Sequence, residues 1–425
     1  MTNNFKKETL CIQGGYKPES GEARILPIVQ STTFKYESSE HLAEIFDLKK
    51  QGHMYSRISN PTVSAFEEKI SELEGGVGAL ATASGQSATL ISILNICKAK
   101  EHIIASANIY GGTYTLFSTT LKKLGIEVTF VNPEISIEEI LSFKRDNTKV
   151  IFAETLSNPS LNVLDIEKFS KIAKKLDIPL IVDNTFPTPY LCNPIEHGAN
   201  IVVHSATKYI DGHATSVGGV IVDGGNFNWD NGKFEEFIKP DPSYHGIKYV
   251  EKFKEQAYIV KARVQFLRDI GATLSPFNGF LFNLGLETLH LRMKRHSENA
   301  LKLAKYLKEH DKVTWVNYPK LDNHKSFELS KKYLPKGASG ILTFGLKGGK
   351  ERIKKFIENL ELVALVVHVG DVRTSVLHPA TTTHRQLTKE QLKASKVTKD
   401  MIRVSIGIEE IDDIINDFDR ALNSI

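Results

Sequence analysis

The sequence holds little of what builds disulfide scaffolds or metal sites. Three of its 425 residues are cysteine, and Cys11, Cys97 and Cys192 stand far apart without paired spacing. That supports neither a disulfide framework nor a zinc site, and leaves buried or incidental thiols as the expectation. The fourteen histidines include no His-Glu-x-x-His run, and His378 and His384 are the only close pair in a polar stretch. Without a third ligand no metal is expected. Charge of one sign is also scarce: 54 Lys and Arg against 50 Asp and Glu leave a formal +4. No block of five or six like charges occurs, so a nucleic-acid partner is not expected. No run approaches the ~18 apolar residues of a membrane span, and Met1 to Lys7 lacks the apolar core of a secretory signal. The expectation is a cytoplasmic protein without membrane association. What remains is ordinary globular composition, 41% hydrophobic and 24% charged, in a chain long enough for two domains.

Within that composition one short run organises the rest. Ser205-Ala206-Thr207-Lys208 follows the β-branched Ile201-Val202-Val203 and precedes a turn at Gly212. A lysine that has just left an apolar strand is placed for Schiff-base chemistry, because partial burial lowers its pKa and frees its amine. On its own the run is better explained as an ordinary surface lysine at a strand end. The upstream sequence changes that balance. Pro179 to Asn184 reads as a buried parallel strand ending in the carboxylate of Asp183, at the strand end where open α/β sheets collect ligands. A Schiff-base lysine and an acid for a pyridinium nitrogen are the two protein groups that pyridoxal phosphate chemistry requires.

From about 61 to 285, strands and helices alternate, which predicts a mostly parallel sheet covered on both faces. Val77 to Ala81 leads into Thr82-Ala83-Ser84-Gly85-Gln86 and then a helical spacing over 87–96, so free backbone amides open a helix as an anion site. Gly75-Gly76-Val77-Gly78 precedes its strand instead of following it, so a dinucleotide fingerprint fails on order. His102 to Ala105, Ile126 to Val131 and Lys149 to Ala153 read as strands. Tyr110-Gly111-Gly112-Thr113 reads as a turn whose aromatic ring could stack on a flat ligand or pack at a loop base. Glu154-Thr155-Leu156-Ser157-Asn158-Pro159 ends the next strand in polar groups. Asp165 caps a helix with Ile166, Phe169, Ile172, Ala173 and Leu176 on one face. Three consecutive strands thus bring polar residues to one edge.

Residues 1–60 are rich in turn formers and read as a weakly structured arm that packs on a neighbour. In it, Tyr55 and Arg57 share one side of an extended segment and could grip one anion, or form a plain surface turn. Residues 224–250 read as an insertion near the site mouth. Leu284 to Leu307 reads as one long helix with Arg292, Lys294, Arg295 and His296 on its solvated face. Beyond it, Gly340 to Phe344, Leu362 to Val367 and Met401 to Ser405 read as strands, and Ile411 to Leu422 as a closing amphipathic helix. Arg403 interrupts an apolar alternation, so it is either a core ion pair or a carboxylate receptor.

With these residues assembled, the chain resembles, over nearly its whole length, the cysteine and methionine metabolism family of pyridoxal phosphate enzymes. The motifs are Tyr55-Ser-Arg-x-x-Asn-Pro-Thr62, Ser84-Gly-Gln86, Tyr110-Gly-Gly-Thr113, Glu154-Thr-x-x-Asn-Pro159, Asp183-Asn-Thr185, His204-Ser-Ala-Thr-Lys208 and Arg403-x-Ser-x-Gly407, all in family order. Its length, Asp241-Pro-Ser-Tyr-His-Gly246, Ser275-Pro-Phe277 and His378-Pro-Ala380 followed by Thr381 to His384 look most like the O-acetylhomoserine sulfhydrylase branch. Methionine γ-lyases typically carry cysteine where Gly112 stands.

The resemblance implies a fold-type I α/β architecture: a large domain over 61–285 with a mostly parallel seven-stranded sheet, and a smaller C-terminal α/β domain over 286–425. It implies that Lys208 binds pyridoxal 5'-phosphate covalently, that Asp183 keeps the pyridine nitrogen protonated, and that Tyr110 stacks on the ring and takes part in proton transfer. Gly85, Gln86, Ser205 and Thr207 then hold the phosphate, Asn158 belongs to the cofactor set, and Tyr55 and Arg57 reach the phosphate from the adjacent subunit. Arg403 binds the substrate carboxylate, with Tyr55 and His368 beside it; many relatives have serine or asparagine at position 368. The implied reaction is γ-replacement, converting O-acetyl-L-homoserine and sulfide or a small thiol to L-homocysteine and acetate in methionine biosynthesis, in a homotetramer with sites shared across a dimer. Open alternatives are a γ-elimination lyase, a cystathionine γ-synthase and a non-catalytic amino-acid sensor of the same fold, the last opposed by intact Lys208 and Asp183.

Overall fold

Short β-branched runs bounded by turn formers become strands, and strands apolar on both faces demand cover on both. The computed structural model describes residues 5–383, 385 and 397–425. Its larger sheet contains β1 (Gly78–Thr82), β2 (His102–Ser106), β3 (Glu127–Val131), β4 (Thr148–Glu154), β5 (Leu180–Asp183), β6 (Ile201–Ser205) and β7 (Gly219–Asp223). Their order is β1-β7-β6-β5-β4-β2-β3. Only β7 runs against its neighbours β1 and β6; every other pair is parallel. The expected mostly parallel, seven-stranded sheet is therefore present.

Alternate residues feed two separate cores. Ile104, Ile151, Val182 and Val202 face one side, and Ile103, Phe152, Ile181 and Val203 the other. The helix Ile166–Leu176 covers the first side, its N-terminus capped where Asp165 Oδ1 accepts from the Lys168 N–H at 3.2 Å. Phe169, fully buried on that face, contributes about 3–5 kcal/mol by the usual cost of truncating a core aromatic to alanine.

The smaller sheet contains β8 (Val313–Asn317), β9 (Ile341–Leu346), β10 (Ala364–Leu365), β11 (Ser375–Leu377) and β12 (Met401–Ser405), in the order β10-β11-β12-β9-β8. The closing helix Ile411–Asn423 lays Phe418 against Phe344 and Phe356, with ring centroids 6.2 and 5.6 Å apart.

Several sequence expectations need correction. The long helix is two, Pro276–Glu287 and Leu289–Glu309, divided at Thr288. Lys294 and Arg295 are exposed, but Arg292 and His296 are buried. Arg292 donates to the Tyr209 carbonyl at 2.7 Å and the Gly285 carbonyl at 2.5 Å, and His296 Nδ1 meets the Ile406 carbonyl at 2.7 Å. A charged group becomes tolerable inside when carbonyls distant in sequence converge on it, which helical periodicity does not reveal. Tyr110 to Thr113 is no simple turn; it opens the helix Gly111–Thr115, which runs into a π-helical stretch Leu116–Leu121. The arm contains the helices Lys7–Gln13 and Ser39–Phe46. Of Leu362 to Val367 only Ala364–Leu365 pairs as a strand, and Leu365 to Val367 stay exposed. Strands β7, β8 and β11 were not foreseen.

The three cysteines are buried and free, as expected. His378 bonds Thr381 and the Lys399 carbonyl, while His384 lies outside the described residues. Among the described residues no helix is long and apolar enough to cross a membrane, and no group of three His, Cys, Asp or Glu is placed to hold a metal.

Candidate active site

Adjacent strands β4, β5 and β6 end in Glu154, Asp183 and Ser205, and the polar ends face a cavity of about 380 Å³. Its wall brings together Gly85, Gln86, Tyr110, Asn158, Asp183, Ser205, Thr207, Lys208 and Arg403. Ligands collect at this edge because the strand C-termini and the following turns leave unpaired polar groups there.

Lys208 sits in the turn after β6, held by its N–H to the Ser205 carbonyl at 3.2 Å and by the Gly212 N–H to its own carbonyl at 2.8 Å. Its amine has no hydrogen-bond or ion-pair partner among the described residues. Burial, then Arg403, lower it to about 8. Asp183 is fixed by Thr185, whose N–H and hydroxyl both donate to Oδ1, at 2.9 and 2.6 Å. The Thr185 hydroxyl also accepts from the Ser205 N–H at 2.9 Å, joining β5 to β6. Oδ2 is left for a ligand. Burial raises the Asp183 carboxyl, and the Thr185 bonds act against that rise.

The helix Gly85–Leu94 starts at this edge, with Ser84 Oγ accepting from the Ser87 N–H at 3.1 Å. The Gly85 and Gln86 N–H groups are left unbonded among the described residues, at the positive end of the helix. Gly85 packs so closely on β6 that an added Cβ would lie 2.7 Å from Ser205 Cβ. The Thr207 hydroxyl is engaged with both the N–H and the carbonyl of Gly218, at 3.0 and 3.2 Å.

Arg403 enters from β12. It is 6% exposed, donates to the Val367 carbonyl at 2.9 Å and to Asn158 Oδ1 at 3.5 Å, and its Nε has no partner. No carboxylate pairs with it among the described residues, so the core ion-pair alternative falls away. Burial lowers it to about 10. Val367 and Val369 line the cavity, whereas His368 between them does not. Burial, then Lys208, hold His368 down at about 4, a neutral imidazole whose Nε2 is unpartnered.

Tyr55 and Arg57 lie outside this cavity wall. Tyr55 pairs with Thr33 in an isolated antiparallel bridge and Arg57 sits in the turn that follows, with the guanidinium 5.3 Å from the Tyr55 ring centroid and donating to the Arg268 carbonyl. Thr185, Val217 and Phe186 were not singled out from the sequence. The lock on Asp183 was legible only as Asp-Asn-Thr, the short spacing of a side chain that bonds its own backbone two residues on.

A model of the Cys/Met metabolism PLP-dependent enzymes matches residues 8–423. The chain belongs to that family. A relative from Leptospira meyeri named O-acetyl-L-homoserine sulfhydrylase is 48% identical, the alignment covering 100% of this chain and 98% of that one. A homocysteine synthase from Schizosaccharomyces pombe is 46% identical, over 98% and 97% of the two chains. A solved structure from Campylobacter jejuni, described as a candidate O-acetylhomoserine (thiol)-lyase with pyridoxyl-lysine phosphate, superposes with a TM-score of 0.95 at 38% identity. It covers 99% of this chain and 100% of that one.

This family depends on pyridoxal phosphate, and the residues present fit the group. The approach at Gly85 leaves a cradle that a Cβ would fill, two N–H groups at that helix start are unbonded among the described residues, and an unpaired amine and a carboxylate with one free oxygen line the same cavity.

Proposed function

We propose that this enzyme catalyses γ-replacement on O-acetyl-L-homoserine, exchanging acetate for sulfide or a small thiol to form L-homocysteine. The observation that carries the reading is the convergence of Lys208, Asp183 and Arg403 on one cavity, where among the described residues amine and guanidinium lack an anionic partner and one carboxylate oxygen is free.

When bound, pyridoxal phosphate supplies an electron sink for charge that develops at the substrate α- and β-carbons. Lys208 would be the covalent anchor, and its amine would move protons at those two carbons. Asp183 Oδ2 would accept from the pyridine nitrogen. The Gly85 and Gln86 N–H groups, with Ser205 and Thr207, would receive the phosphate. Asn158 would belong to the same set, and the Tyr110 ring would stack on the pyridine. Arg403 takes the substrate α-carboxylate, with Tyr55 of the neighbouring subunit beside it, whereas His368, absent from the cavity wall, is not assigned to that side.

Lys208 and Arg403 are the only cationic side chains on the described wall. Leu156, Phe186, Val217, Val367 and Val369 on the described wall suit a small thiol, which favours sulfide as the acceptor. The placement of Tyr55 and Arg57 outside their own chain's cavity supports a homotetramer with sites shared across a dimer, and an arm over 1–60 reaching the neighbour. We assign residues 61–285 to the cofactor domain, residues 286–425 to the smaller one, and the protein to the cytoplasm.

The test is homocysteine formation from O-acetylhomoserine and sulfide, with Lys208→Ala beside the wild type, followed by a panel of homoserine esters and thiols. Turnover and the borohydride-sensitive visible chromophore should both vanish in the variant. Full sulfide-dependent turnover without the lysine would overturn the proposal.

A further inference from the structure

Glu154 closes β4 at the cavity wall and is 8% exposed. Its Oε1 accepts from the Tyr110 N–H at 2.6 Å, and among the described residues no cation pairs with it. Tyr110 precedes the helix Gly111–Thr115 and makes no side-chain cap of its own. Its ring is 51% exposed, yet lies so close over Gly112 that a Cβ there would overlap it. An exposed ring cannot be held by burial, so its place depends on where its backbone is tied.

We propose that Glu154 is the positioning residue for Tyr110: by binding that N–H from the sheet, it fixes the ring above the space between Lys208 and Asp183. This rests on the assignment of Tyr110, Lys208 and Asp183 given above. Burial, then the neighbouring Asp183, push the Glu154 carboxyl well above the usual range. That direction favours a neutral acceptor for the Tyr110 N–H and leaves to Asp183 the charge the pyridine nitrogen needs. Glutamine offers the same acceptor in the same shape. Methionine fills the volume and offers none.

The experiment compares Glu154→Gln and Glu154→Met, each in the wild-type and Tyr110→Ala backgrounds. Cofactor affinity is measured by equilibrium dialysis, the lysine–cofactor chromophore is titrated by absorbance, and KM and kcat are determined separately. Glu154→Met should weaken cofactor binding about tenfold, the worth of one buried hydrogen bond. Glu154→Gln should recover affinity to within about twofold of wild type and leave the chromophore pKa in place, as expected for replacing one neutral acceptor with another. In the Tyr110→Ala background the Glu154→Met effect should disappear, because the two residues act as one unit.

Additive losses, a glutamine variant as impaired as the methionine one, or a methionine variant indistinguishable from wild type would each overturn the assignment. A wild-type protein without a borohydride-sensitive chromophore would overturn the underlying reading as well. A normal wild-type chromophore combined with any of those three results sinks the Glu154 role alone.

Discussion

Glu154 and Asp183 are register partners on adjacent parallel strands, so two carboxyl groups stand side by side at one edge of the sheet. Only Asp183 is given hydroxyl support, through Thr185, and the two are thereby made unequal. Two neighbouring acids cannot both ionise cheaply, and the better solvated or better bonded one keeps the charge.

That inequality makes Asp183 the anion to test. Asp183→Asn preserves the shape while removing the charge, so cofactor should remain bound and kcat should fall about a hundredfold or more. Steady-state kinetics on cofactor-saturated enzyme measures this, and an unchanged kcat counts against the role.

Lys208 should cost stability in the cofactor-free protein. Its ammonium is lowered to about 8 from the ordinary 10.5, chiefly by burial. Between those values the unfolded chain holds more proton than the folded one, so this group's contribution rises with pH across the window and is a penalty below it. Cofactor-free Lys208→Met should therefore exceed wild type by about 2 kcal/mol at pH 7 after solvent screening, the gap closing near pH 10.5. Urea midpoints at both pH values decide it, and a variant less stable at pH 7 refutes it.

Arg403 should act mainly on binding. Arg403→Lys keeps a charge but loses the planar fork that holds a carboxylate with two bonds. KM for O-acetylhomoserine should rise by about tenfold or more with a smaller change in kcat. A variant in which only kcat moves would point to a different role.

Gly85 should be intolerant for a steric reason. A Cβ at this position meets Ser205, so Gly85→Ala must push the helix start off β6 and spread the two N–H groups. Cofactor retained after dialysis should drop about tenfold, alongside a cofactor-free stability loss of about 1–3 kcal/mol from the forced shift. Full retention would show that the cradle adapts.

Much of the large sheet was legible because its strands are short, β-branched and bounded by turn formers, and β5 and β6 lead directly to Asp183 and Lys208. Strand β7, Gly219–Asp223, carries the same signal but runs antiparallel between β1 and β6, a placement that periodicity does not encode. Arg292 and His296 were misplaced on solvent because their partners, the carbonyls of Tyr209, Gly285 and Ile406, come from elsewhere in the chain. The role of Glu154 is not legible from its own segment, since its bond to Tyr110 spans 44 residues.

The amino-acid order alone determined which residues bear chemistry and which strands carry them, because residue type, alternation and turn formers act over a few neighbours. The tertiary structure decided which of those groups lack a partner. Arg403 has no carboxylate among the described residues, Asp183 keeps one oxygen free, and Glu154 is spent on a backbone N–H. Whether a charge is satisfied depends on what distant segments bring within about 3 Å of it, a distance that packing sets and local sequence does not.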